Sequence, residues 1–517
     1  MNATTGVRAA AASVGLGVRD GAPGELIAMC PEADLLTKLG DLLRVTRLAD
    51  LFAVTLPGQH PRITGILETP ADPNWLVVHT DLSRPEFPTL TTTSHAASWY
   101  ERDILEMHGL VPIGHPAPAP LRQPSPDHPH LSRAQRGRQA HDIEQTQPRV
   151  GRPAVTGQGV FQLPLGPVRS GPQESGAFSF ASGSEDIVVV DMSLGFKFRS
   201  IERLSEGMPA AEVIPLAERV AGTSSFANGL AFTRAVERCL GAQVSPCEEF
   251  TRAILAELER VYSHFGMIGR LAEATGLLVA AAQYGMLKEE ALRAGARVCG
   301  HRYLRGVLRV GGTELVLSHP ARNWLGQQVK KWSLDQSRLE HLLGATSTFV
   351  DRLETTAFLR PEYAAEHNLI GPVGRACAID QDARRDHPYG AYSQVAFTVP
   401  VFSEGDAKAR YQVHAAELSQ SLAIIQQLLE GWPADSPRLP PPPPRAGSAL
   451  GWTEAPGGAA LHFVALDETG RVTRWRARPP AVVNWHPFAH ACASGNNLTD
   501  YPVIEASFAL SHAEFDR

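Results

Sequence analysis

The feature that most limits what this chain can fold into is an interruption. Residues 115–153 are built largely from Pro, His, Arg and Gln (HPAPAPLRQPSPDHPHLSRAQRGRQ over 115–139), a composition that cannot bury a core. The chain therefore reads as separate globular parts joined by a linker. Its 517 residues, more than one hydrophobic core normally serves, allow this. The expected boundaries are a flexible tail over 1–30, a small unit over 31–116, the linker over 117–155 and a large domain over 156–517. The opening residues, MNATTGVRAAAASVGLGVRD, lack the apolar stretch of a signal peptide.

Hydrophobic periodicity gives the fold class, α+β. In the small unit an amphipathic helix over 32–43 precedes three apolar runs, LFAVTL, RITGILET and NWLVVHT, which read as strands of one sheet. A helix around 96–107 follows. After the linker come two strand-like runs ending in EDIVVVDMSLGF, and then a helical middle. Over 250–270, Ile254, Leu255, Leu258, Val261, Tyr262 and Phe265 fall on one helical face. Further helices are expected over 272–284, 288–299, 323–343 and 406–429. The proline run 440–444 reads as a stiff loop, and ALHFVALDETGRVTRWRARPP as a hairpin.

Composition excludes several functions. A net charge of -6 without a Lys/Arg stripe leaves no footprint for nucleic acid. The longest uncharged run in the middle of the chain, 274–287, is shorter than the roughly 20 residues a membrane helix needs. Six cysteines (Cys30, Cys239, Cys247, Cys299, Cys377, Cys492) are scattered without a CxxC pair, so they read as reduced thiols of a cytosolic protein. No nucleotide-binding glycine loop is present, which puts any NAD site on a partner.

Four segments carry a family resemblance. WYERDILEMHGLVPIGHP (99–116) is similar to the signature of the 30 kDa peripheral subunit of complex I. LPLGPVRSGPQESGAFSF (163–180) resembles the opening hairpin of the hydrogenase and 49 kDa domain. FRSIERLSEGMPAAEVIPLAERVAGTSSFANGLAFTRAVE (198–237) follows, and then GPVGRACAIDQDARRDHPYGAY (371–392) with the stretch 475–517. Their order identifies the chain as a member of the formate hydrogenlyase-type (group 4) nickel–iron hydrogenase large subunits, in which a 30 kDa-like module is fused before a 49 kDa-like domain. The resemblance implies a small α/β module and a mainly helical large domain with small peripheral sheets.

In that family two CxxC pairs supply four thiolates, soft ligands that hold nickel and bridge it to iron. The first pattern, RxCGxCxFAH, is matched by 219–228, with Ala221 and Ser224 at the cysteine positions. The second, DPCxxCxxR, is matched by 509–517, with Ser511 and Glu514 there. Alanine donates nothing and neutral serine is a weak, hard ligand, so no nickel–iron centre is expected and no cofactor is assigned to this chain. The short tail that such subunits carry beyond the last motif is likewise not expected after Arg517. His512, Glu514 and nearby acids would instead form either a polar cluster or a site for a hard divalent ion.

Other roles follow from the resemblance. Glu202 matches the glutamate of the RGxE motif that relays protons, although Ser200 replaces the glycine and Phe198 the histidine before the motif. It is either such a relay, with burial raising its pKa, or half of an ion pair with Arg199. Arg375, Asp380, Asp382, Arg384, Arg385, Asp386 and His387 either line a path from the redox cavity toward the membrane arm or form an interdomain salt-bridge network. Quinone binding as in the 49 kDa subunit would need a histidine and a tyrosine, where Arg169 (or a neighbour) and Gly222 stand; Phe226 and Phe508 would line the vacated space. The expected partners are a small subunit carrying 4Fe-4S clusters and antiporter-like membrane subunits. The chain would sit peripherally on the inner face of the cytoplasmic membrane. The expected function is the large subunit of a complex coupling electron transfer to proton or cation translocation. The alternatives are a non-catalytic coupling subunit of that complex and a quinone-reducing, NADH dehydrogenase-like subunit.

Overall fold

The computed structural model describes residues 6–55, 59–70, 72–119, 121–122, 155, 157–169, 174–315, 317–434, 437–440 and 442–517. The linker expected over 117–155 lies outside them, apart from 117–119, 121–122 and 155.

Five strands form the N-terminal sheet: β1 (Val18–Asp20), β2 (Glu25–Met29), β3 (Arg47–Val54), β4 (Arg62–Glu68) and β5 (Trp75–Asp81), in the order β1-β2-β5-β4-β3. The three expected runs are the antiparallel meander β3-β4-β5. Their near-continuous apolarity has a reason, because the sheet is covered on both faces. Along β5, Leu76 and Val78 point into the module's own core, while Trp75 and Val77 join the core of the large domain.

Residues 7–30 are not the flexible tail expected from their small side chains. Helix α1 (Val7–Ser13) buries Val7, Ala10 and Ala11 in the module core, and β2 lies parallel to β5 with Leu26 and Ala28 buried. Alanines give α1 its helical bias and a flat buried face. The expected helix over 32–43 is present as consecutive helical turns of changing pitch, ending in α2 (Gly40–Val45). Helix α3 (Ala97–His108) packs across β3, and β6 (Glu86–Pro88) pairs with β7 (Val111–Ile113).

The large domain opens with the antiparallel strands β8 (Val160–Leu165), β9 (Ala177–Gly183) and β10 (Asp186–Ser193). Its body is helical: α4 (Ser225–Leu240), α5 (Pro246–Ala274), α6 (Leu278–Cys299), α7 (His319–Gly344) and α8 (Ala407–Glu430). Pro246 at the first position of α5 and Glu248 and Glu249 in its first turn suit a helix start. The break after α5 falls at Gly276, whose φ of +84° ends the helix, so the two helices expected over 272–284 and 288–299 are the single α6. Between α6 and α7 lies the short pair β11 (Leu308–Arg309) and β12 (Gly312–Thr313). The expected hairpin is β14 (Gly458–Leu466) with β15 (Val472–Arg478), and β13 (Gly447–Ala455) joins its other edge. This sheet packs on α4, and no helix among the described residues is long and apolar enough to cross a membrane.

Candidate functional site

Two loops that are far apart in sequence meet where α4 begins. The Ser224 hydroxyl donates to a Glu514 carboxylate oxygen at 2.6 Å, and the other oxygen accepts from the Ala481 amide at 2.8 Å. Asn228, one turn into α4, donates to the Ser224 hydroxyl at 2.9 Å and holds His462 of β14 at 3.1 Å. Arg199 stitches the same loops from behind, donating to the carbonyls of Val220 (2.8 Å) and Ala513 (2.5 Å). Ser511 caps the last short helix, and its hydroxyl donates to Glu174 at 3.1 Å. Three of the four positions marked by the resemblance, Ser224, Ser511 and Glu514, line one cavity of about 50 Å³, room for a few waters. The fourth, Ala221, is buried in the first loop.

Burial dominates the electrostatics here. It pushes the Glu514 carboxyl up to about 7 against the opposing hydrogen bond from Ser224. Glu259 on α5, which accepts from the amides of Phe226 and Ala227 at 2.7 and 2.8 Å, is also raised to about 7, with the Glu514 charge contributing. His512 does not join them: it faces Glu174 at 3.8 Å, and burial lowers it to about 3. His512 and Glu514 thus point to different partners and make no chelating set. Phe508 lines the cavity as expected. Phe226 lies outside its lining, fully buried in the core.

Glu202 is not a carboxyl whose pKa is raised. Burial acts in that direction, but Arg474 and Arg517, each 3.0 Å away, and Arg476 at 3.9 Å outweigh it and hold Glu202 at about 2. Its ion pair is with these three arginines and not with Arg199, which turns to backbone carbonyls instead.

The charged segment after Arg375 divides. Asp380 and Arg385 pair on the surface, and Asp386 receives Arg385 and the Asp382 amide. His387 crosses to the N-terminal module, where it meets Glu68 at 3.1 Å and stacks on Trp75. Arg375, Asp382 and Arg384 turn inward and join residues the sequence did not single out. Arg375 binds Glu417 (2.7 Å) and Glu454 (3.0 Å), Arg384 binds Asp382 (2.7 Å) and Glu257 (3.0 Å), and Arg260 binds Glu417 (2.5 Å). His264 on α5 and His414 on α8 line the cavity 3.0 Å apart, and His264 lies 3.4 Å from Glu417. An unbroken run of buried ionisable groups therefore leads from the cavity to Glu454. Four carboxyls (Glu257, Asp382, Glu417, Glu454) face three guanidiniums (Arg260, Arg375, Arg384), so neutrality asks for one bound proton. Burial and the Asp382 charge raise Glu454 to about 7 against the neighbouring arginines.

Comparison with known proteins places this architecture. Residues 32–131 match the model of the respiratory-chain NADH dehydrogenase 30 Kd subunit, and residues 275–440 that of its 49 Kd subunit. Hydrogenase-4 component G of Escherichia coli is 30% identical over 90% of this chain and 82% of its own length. The chain belongs to this family of fused large subunits. Formate hydrogenlyase subunit 5 of the same organism is 29% identical over 86% of this chain and 79% of its own length. Among solved structures, one chain of the membrane-bound sulfane sulfur reductase, an archaeal respiratory membrane complex, has the same fold (TM-score 0.65, 24% identity), covering 70% of this chain and 99% of that one.

A nickel–iron centre does not fit the residues present. It requires four thiolates, whereas the equivalent positions hold Ala221, Ser224, Ser511 and Glu514, two of them bonded to each other, and no cysteine lines the cavity among the described residues. Among the described residues, the positions expected to hold a quinone headgroup offer no free partner. Arg169 is held by Glu505 at 2.6 Å, and Gly222 offers no side chain.

Proposed function

We propose that this chain is the large subunit of a membrane-associated, complex I-like oxidoreductase complex, works without a nickel–iron centre and couples electron transfer to proton or cation movement. Its partners are a small subunit carrying 4Fe-4S clusters, which delivers electrons near the cavity, and antiporter-like membrane subunits, which receive the coupling. The observation that carries this reading is the buried ionisable run from the His264–His414 pair, which lines the same cavity as Glu514, through Glu417 and Arg375 to Glu454. Two carboxyls held near 7, Glu514 in the cavity and Glu454 at the far end of that run, are matched to exchanging protons at physiological pH. The locked Arg169 and the bare Gly222 favour a second reading, a coupling subunit that reduces no quinone itself.

The test uses the intact complex in membrane vesicles. Metal analysis is expected to find well under one nickel per large subunit. Glu454→Gln, which mimics the protonated carboxyl, is expected to lower ion translocation about ten-fold or more. Stoichiometric nickel would sink the first part of the proposal, and unchanged translocation in the variant the second. Electron transfer to added quinone that stays intact when the large subunit is absent would select the non-catalytic reading.

A further inference from the structure

We propose that His95, His367 and His486 form a site for a borderline divalent cation of the zinc type, set where the N-terminal module meets the large domain. His95 lies just before α3 of the module. His367 ends the short helix Pro361–Glu366, and His486 lies shortly after another, Ala481–Asn484. One ring nitrogen from each lies within 4.8 Å of the other two, the one such grouping of three ligand side chains among the described residues. The site is distinct from the cavity above, and a second, smaller cavity borders His367 and His486.

The tautomer supports the assignment. His367 Nδ1 lies 2.8 Å from the Tyr363 carbonyl oxygen, which can only accept, so the proton sits on Nδ1 and the lone pair on Nε2. That Nε2 is buried and has no hydrogen-bond partner. A histidine fixed by a backbone carbonyl on one nitrogen and offering the other is the arrangement that orients imidazole toward a metal.

Packing holds the rings in place. Trp99 and His95 each stack with His486 at 4.9 Å, and Tyr363 stacks with His367 at 4.1 Å. His95 is exposed, which leaves an entry path.

Three imidazoles with no oxygen ligand suit zinc or a similar ion and not calcium or magnesium. Tetrahedral zinc with bonds of about 2.0–2.1 Å sets its nitrogens roughly 3.4 Å apart. The rings must therefore draw closer than the 4.8 Å that bounds their present separation, and His95, the exposed member of the set, would leave its stack on His486 to do so. The fourth position is left to water or an added ligand. Bound metal would clamp the module to the large domain.

The experiment uses the full chain after chelator treatment. Titration with Zn2+ against a chromophoric chelator is expected to give one ion per chain, and Co2+ the visible absorption of a tetrahedral nitrogen–oxygen site. His95→Ala, at an exposed position, is expected to weaken binding at least about ten-fold while the fold persists. His490→Ala, which removes a neighbouring ring outside the set, is expected to leave it unchanged. Absence of stoichiometric binding, affinity unaltered in both His95→Ala and His486→Ala, or cobalt–thiolate absorption would each overturn the proposal.

Discussion

At Glu202 three guanidinium groups decide what burial alone would not. Because its folded pKa of about 2 lies below the ordinary 4.5, its contribution is present above pH 4.5 and is lost as pH falls toward 2. At about 1.4 kcal/mol per pH unit this amounts to about 3 kcal/mol. Glu202→Gln should therefore destabilise the protein by about 3 kcal/mol in urea unfolding at pH 7, with the difference from the native protein shrinking below pH 4.5. An unchanged midpoint would remove this role. The residues of the buried run were hard to read from sequence for a simple reason. Glu257, Arg260 and His264 on α5, and His414 and Glu417 on α8, recur at three- and four-residue spacing, which looks like a solvated helix face. They are buried because the two polar faces meet each other. By contrast, the loop substitutions at Ala221, Ser224, Ser511 and Glu514 were visible at once, since a missing thiolate needs no geometry to recognise.

Elements pack closely here because small residues allow it. On β13, a Cβ added at Gly451 would overlap the Ala231 carbonyl and the Ala235 amide of α4, so strand and helix touch backbone to backbone. Gly451→Ala must push them apart, and is expected to cost about 3 kcal/mol, measured by chemical unfolding. Strands β3, β4 and β5 were legible because both faces are apolar. β13 was not, because its run GSALGWTEA mixes glycine, polar and apolar residues. Gly276 and Gly300 end α5 and α6 in left-handed conformation, a stop signal that apolar periodicity does not report.

At the scale of the whole molecule, the module and the large domain are joined by a shared apolar core, which takes in Phe52, Trp75 and Val77 of the module, and by charge. Arg476 of β15 binds Asp50 at 3.0 Å and Asp103 at 2.6 Å, Arg238 binds Glu25 at 2.9 Å, and His387 meets Glu68. Burial opposes charging His387, but Glu68 prevails and raises its pKa above 6.5. Its share of stability is thus fully present below pH 6.5 and is lost as pH rises through the higher folded value. His387→Ala should lower stability by about 2 kcal/mol at pH 6 and by less at pH 9, followed by thermal unfolding. A constant difference across that range would show that the contact is not ionic. One consequence follows from the position of β2. Were residues 1–30 absent, β5 would become an edge strand, offering its unpaired amides and carbonyls to any passing chain, and Arg238 would lose its counter-charge in Glu25. Because β2 is made before β5 and pairs with it in parallel, the chain already carries the strand that covers that edge when the meander emerges.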